Sequence, residues 1–219
     1  MIRSLKNLLE IPAHAGEEKI GKVKDMFFDD HVWRIRYFVI ETGGFLTRQQ
    51  ILVAAQPITV VDGDEVILDI DLTKDQILSS PDVDADKPVS RQHEIQMAAH
   101  YGWPAYWTME PVGGVPVDLP VVAAATETPG DPHLRSFREL RKYEVKAADG
   151  PVGELDDLLA DDGIWRLDFL VVTAGDWSER KQLLVDTGNV RQILFGDQVI
   201  TAHGDRRDLI AAPEYQPAV

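Results

Sequence analysis

The stretch Ile20-Gly21-Lys22-Val23-Lys24-Asp25-Met26-Phe27-Phe28-Asp29-Asp30-His31-Val32-Trp33-Arg34 returns 132 residues later, without a gap. It reappears as Val152-Gly153-Glu154-Leu155-Asp156-Asp157-Leu158-Leu159-Ala160-Asp161-Asp162-Gly163-Ile164-Trp165-Arg166. The register reaches back to Ser4/Ser136 and Leu8/Leu140 and forward to Leu52-Val53/Leu184-Val185. Over positions 4–53, 15 of 50 residues are identical to their partners, and most others exchange like for like, as in Ile35/Leu167, Tyr37/Phe169 and Phe45/Trp177. Drift that conserves volume and polarity is the kind a packed core tolerates. The period is too long for a solenoid repeat and fits two copies of a small domain. Two copies suggest a two-sided binding surface more readily than one active site.

Each copy reads as strands. Lys19 to Phe28 runs into Asp29-Asp30, Trp33 to Thr42 ends at Gly43-Gly44, and Gln50 to Ala54 is short and apolar. Ile58 to Val61 and Glu65 to Ile70 flank Asp62-Gly63-Asp64, a tight hairpin signal because Asp and Gly tolerate positive φ. A further strand is suggested near Leu5 to Ile11, and Thr73-Lys74-Asp75-Gln76 resembles a capped helix start. In the second copy Glu154 to Leu159, Trp165 to Thr173, Lys181 to Asp186, Val190 to Phe195 and Gln198 to Ala202 take the corresponding places. The fold expected is mainly β: two small, closed or nearly closed antiparallel barrels. Their boundaries are 1–80 and 134–212, with a tail at 213–219, and the chain after Leu209 is expected to fray.

The linker, 81–133, holds eight of the thirteen prolines. Ser90 caps an expected short helix over about 90–101, with Gly102 as its stop. Tyr101, Trp103, Tyr106 and Trp107 follow within seven residues, too much aromatic surface to leave in water. Residues 111–132 read as extended.

The chain has 219 residues, a net charge of −15 and no cysteine. Phosphate backbones and anionic bilayers repel such a chain, so nucleic acid is not an expected partner. The nearest basic run, Arg135 to Lys146, is interrupted by Glu139 and Glu144. Disulfides, thiolate metal sites and cysteine nucleophiles are excluded. No window is apolar enough for a membrane span, and the opening residues do not read as a signal peptide, so a cytoplasmic location is the default expectation.

Catalytic motifs are missing: no Gly-x-Ser-x-Gly elbow, no phosphate-cradling loop with Lys, no His-Glu-x-x-His. The six histidines (His14, His31, His93, His100, His133 and His203) are not spaced for one metal ion. The pairs Asp29-Asp30 and Asp161-Asp162 sit where turns favour Asp. Asp25 and Asp157 lie inside a strand and read as structural, bonded to the opposite strand or to Arg34 and Arg166. Gly21 and Gly153 read as sites of a bulge or a close backbone approach. Trp33 and Trp165 read as barrel plugs or rim residues, or alternatively as aromatic anchors for a partner. The expectation is therefore no catalytic residue, no metal and no cofactor.

The run Ile20-Gly21-Lys22-Val23-x-Asp25, then Asp29-Asp30, then Trp33-x-Ile35-x-Tyr37-x-Val39-Ile40 resembles the PRC-barrel, and the second copy shows the pattern again. This is the β-barrel shared by the cytoplasmic part of the photosynthetic reaction-centre H subunit and a ribosome-maturation factor. The linker, through Asp86-Lys87-Pro88-Val89-Ser90-Arg91-Gln92 and Tyr101-Gly102-Trp103-Pro104-x-Tyr106-Trp107, is similar to that of stand-alone tandem PRC-barrel proteins of bacteria. The resemblance implies a non-enzymatic assembly role, with reaction-centre assembly or electron transport as one family setting. It also implies a protein partner or self-association, including peripheral association with a membrane protein complex. No functional residue of either relative carries over by motif, and a fold alone does not carry a function. Candidate interaction residues are Trp33, Trp165, Tyr101, Trp103, Tyr106 and Trp107. The alternative is a sensor binding a small molecule or ion between the barrels and the linker.

Overall fold

The computed structural model describes residues 1–43, 49–78, 133–175 and 180–217. The expected helix at 90–101, the aromatics Tyr101, Trp103, Tyr106 and Trp107, and the stretch 111–132 lie outside the described residues. Within them the chain is mainly β. The first half runs β1 (Ile2–Ser4), α1 (Leu5–Leu8), β2 (Pro12–Ala15), β3 (Glu18–Asp29), β4 (Arg34–Thr42), β5 (Gln49–Ala54), β6 (Ile58–Val61), β7 (Ile67–Ile70) and α2 (Lys74–Leu78). The second runs β8 (Leu134–Ser136), α3 (Phe137–Leu140), β9 (Glu144–Ala147), β10 (Gly150–Asp161), β11 (Arg166–Ala174), β12 (Lys181–Asp186), β13 (Val190–Leu194), β14 (Val199–Ala202) and α4 (Arg206–Ile210).

The strands read from sequence fall where expected, to within a few residues. The segment near Leu5 to Ile11 differs: Ser4 caps a helical turn there instead, its side chain accepting from the Asn7 amide. The tail differs too. Leu184 N donates to Pro213 O at 2.8 Å and Tyr215 N to Gln182 O at 2.7 Å, so residues 213–215 lie along β12.

The assembly of the strands departs from two closed antiparallel barrels. All fourteen belong to one sheet, and among the described residues no ladder joins β5 to β6 or β12 to β13, so neither half closes. Two ladders are parallel, β2 with β7 and β9 with β14. A parallel pair needs a long crossover, which the intervening strands supply.

The reason for the single sheet is an exchange of strands. β1 pairs with β10, placing Ile2 opposite Asp161 and Ser4 opposite Leu159. β8 pairs with β3, placing Leu134 opposite Asp29 and Ser136 opposite Phe27. Each half therefore lends its first strand to the other. Long β3 and β10 make this possible, because each also pairs at its start with its own neighbour, β2 or β9.

One core cluster serves both halves, bringing Leu5, Leu8, Phe28 and Phe38 together with Phe137, Leu140, Trp165 and Leu170. A smaller cluster of Phe27, Tyr37, Val39 and Leu52 lies under Leu134 of the exchanged β8. The sheet is thus covered on both faces around β3 and β4, which accounts for unbroken buried runs such as Tyr37-Phe38-Val39-Ile40.

Candidate functional site

The polar residues singled out in sequence converge on the seam between the halves. Asp25 and Asp157 are buried, 8% and 3% exposed. Of the two structural bonds expected, the one to Arg34 or Arg166 is not made; each aspartate instead reaches the strand that pairs beside it. Asp25 accepts from the Ser136 hydroxyl at 2.5 Å, the Arg138 amide at 3.0 Å and the Met26 amide at 2.8 Å. Asp157 accepts from the Ser4 hydroxyl, the Lys6 amide at 2.9 Å and the Leu158 amide at 2.8 Å. Each carboxylate holds the helical turn lent by the other half. Burial pushes both carboxyls above the usual carboxylate range, against the pull of these bonds.

The acidic pairs divide their work. Asp29 accepts from the His31 and Val32 amides, and Asp161 from the Gly163 amide, so the first of each pair closes the turn. The second reaches across the seam. Asp30 takes Arg135 Nε at 2.6 Å and His133 Nδ1 at 2.8 Å, while Asp162 takes Arg3 Nε at 2.7 Å.

Trp33 and Trp165 follow these turns in the left-handed region, at φ 51° and 54°. Such a conformation disfavours a bulky side chain and persists only where its surroundings fix it. Here they do. Leu167 N donates to Trp33 O at 2.7 Å, Ile35 N donates to Trp165 O at 2.8 Å, and Arg34 lies opposite Arg166. The Trp165 ring is inside the molecule, 5% exposed, its Nε1 donating 3.1 Å to Ile58 O and its plane set T-shaped to Phe38, with ring centroids 4.7 Å apart. Trp33 is half-buried and stacks 5.7 Å from Phe28. Trp165 is therefore placed as a plug from one half into the other, with no free face for an outside partner.

Gly21 and Gly153 are the expected close approaches. A Cβ at Gly21 would sit 2.2 Å from Glu41 O, and one at Gly153 2.1 Å from Thr173 O.

Sequence reasoning did not single out Ser4, Ser136, Arg3 and Arg135 as seam residues. A signal was present: Ser136-Phe137-Arg138-Glu139 is a capping-box sequence, and Ser136 Oγ accepts from the Glu139 amide at 3.1 Å.

An open groove of about 700 Å³ runs over β9 and β10, lined among others by Arg141, Lys142, Glu154, Asp156, Arg180 and Arg206, and meets the seam at Asp156, which pairs with Lys6. All its lining residues lie between 141 and 206, so it belongs to the second half alone. The equivalent surface of the first half carries inverted charge. Glu10 is bridged by Lys22 and Lys24 there, which hold its carboxyl below the usual range. Lys142, Glu154 and Asp156 occupy those three positions in the second half.

Among the described residues the large hydrophobics left in solvent are Met1, Ile2, Val61, Ile164, Phe195 and Ile210. Arg3, next to Ile2, bonds both Asp62, next to Val61, and Asp162, two residues before Ile164. Among the described residues no group of three or more His, Asp or Glu side chains is arranged to hold a metal ion. No helix there is long and apolar enough to cross a membrane.

A PRC-barrel domain is found at residues 10–77, from just before β2 into α2. No curated protein matches the chain.

Proposed function

We propose that this chain is a non-enzymatic protein–protein interaction or assembly module built from two PRC-barrel halves related by internal duplication. The observation that supports it is the exposure of Ile2, Val61 and Ile164, on segments that Arg3 ties together through Asp62 and Asp162, in a fold that buries most of its large apolar side chains. The buried carboxylates that could have suggested acid–base chemistry are each engaged by a serine and two amides of the fold itself. The partner is a protein, or a protein complex at a membrane surface as in the reaction-centre setting the resemblance implies; the acidic chain does not suit nucleic acid. The linker aromatics Trp103, Tyr106 and Trp107 remain candidate contacts alongside Ile2, Val61 and Ile164. The test is capture of partners from the native cell with wild type and Ile164→Asp. Loss of a partner at unchanged melting temperature supports the reading, and identical capture by both forms removes Ile164 from it.

A second reading, a sensor for a small molecule or ion, is supported by the groove lined by Arg141, Lys142, Arg180 and Arg206 together with Glu144, Glu154 and Asp156. Its volume lies within the roughly 300–1,000 Å³ of small-molecule sites. A ligand that raises the melting temperature in proportion to its concentration, and does so less for Lys142→Glu, would favour it.

A further inference from the structure

Several contacts across the seam come in pairs related by the same offset of 132 residues, with Trp165 Nε1 to Ile58 O and Lys6 Nζ to Asp156 among the unpaired exceptions. Ser4 meets Asp157 and Ser136 meets Asp25. Arg3 meets Asp162 and Arg135 meets Asp30. Trp33 O meets Leu167 N and Trp165 O meets Ile35 N. Arg34 lies opposite Arg166, on the axis of this exchange. Such reciprocity defines an isologous interface, the kind that normally joins two copies of one subunit.

We propose that the seam is also a site of association with a second copy of this chain. In that dimer the first half of one molecule pairs with the second half of the other, and the reverse. The two halves are connected only through residues 79–132, a stretch that when extended reaches on the order of 180 Å. A connection of that length does not dictate that a half pairs with its own partner half. Among the described residues both arrangements contain the same hydrogen bonds and the same buried surface, and the connection between the halves sets the concentration at which they compete. The proposal deepens the interaction reading by naming a partner and the surface that receives it.

The exchange requires the seam to open, because Trp165 and the first strands are interlocked with the other half. Exchanged dimers therefore form from unfolded or partly opened chains and then persist. The test uses the full chain in two versions, one with an affinity tag. The two are unfolded together in urea and refolded at about 1 µM and at about 500 µM, bracketing the effective concentration of the connection. A parallel sample mixes the two versions already folded. The expected result is tagged–untagged dimer in the refolded sample, its share rising at least several-fold with concentration, and none within hours in the folded mixture. Amide exchange on the isolated dimer supplies the second measurement, with Ile35 and Leu167 as protected as in the monomer. Monomer alone at both concentrations overturns the proposal. So does a dimer that forms equally fast from folded chains, or one in which Ile35 and Leu167 lose protection. Partner capture with Ile164→Asp is independent of these outcomes, so failure of the seam proposal and failure of the interaction reading are separable.

Discussion

The hydroxyl of Ser136 donates a 2.5 Å hydrogen bond to Asp25, 111 residues earlier in the chain. The same serine oxygen accepts from the Glu139 amide, so one side chain both caps α3 and fastens it to the other half. Ser4 repeats the arrangement on α1, with Asp157 as its acceptor and the Asn7 amide as its donor. Secondary structure and the joining of the halves thus depend on the same four residues.

Substituting either serine should cost the cap and leave a buried carboxylate short of one donor. Ser4→Ala and Ser136→Ala are each expected to lower stability by about 1–2 kcal/mol. Because the two sites are equivalent, the losses should be alike. Urea denaturation of both single variants measures this, and a loss confined to one would break the equivalence.

The buried carboxylates set a pH dependence. Burial raises the folded-state pKa of Asp25 and Asp157 above the unfolded value. The folded state therefore holds its proton more tightly. The contribution of each group is full below the unfolded pKa and is lost as pH rises through the raised folded pKa. Asp25→Asn removes the titration. Wild-type stability relative to Asp25→Asn should grow as pH is lowered from 7 through the folded pKa toward the unfolded value, as followed by urea denaturation at several pH values. A difference that shrinks on acidification would contradict the burial argument.

The strands were legible in sequence because their signals are local. Val23, Phe27, Val39 and Leu52 keep an apolar pattern bounded by Asp and Gly turns, and the repeat supplies a second reading of each. The pairing of those strands was not legible. Ser4 precedes both Asp25 and Asp157, and the two aspartates have near-identical surroundings, so the repeat that reveals the fold also hides which copy each serine meets. A three-residue strand such as Ile2–Ser4 carries too little periodicity to decide. The same ambiguity concealed Arg3 and Arg135, whose aspartate partners looked like ordinary turn residues. Trp165 was legible as a plug, but not as one that fills the opposite half.

Trp165→Phe should retain most of the packing against Phe38 while leaving Ile58 O without its indole donor. The expected cost is about 1–2 kcal/mol for a buried unpaired carbonyl. Trp33→Phe, at the half-buried equivalent site, should cost less. Thermal denaturation of the two variants compares them directly, and a larger loss for Trp33→Phe would place the plug on the wrong side.

Gly21→Ala and Gly153→Ala place a methyl group against backbone that cannot yield cheaply, Glu41 O and Thr173 O. Each is expected to lose about 2–3 kcal/mol by overpacking, read as a lower urea midpoint with an unchanged far-UV spectrum. An effect below about 0.5 kcal/mol, the range of surface substitutions, would show that β3 and β4, or β10 and β11, can part there.

The most direct test of the exchanged seam is to cut the chain between the halves. A specific protease site inserted between residues 111 and 132 of the full chain allows the folded protein to be cleaved once and then examined by native mass spectrometry. Strand exchange predicts a single particle containing both fragments in equal number, melting in one transition near that of the uncut chain. Two separate fragments, each folded and melting on its own, would contradict it.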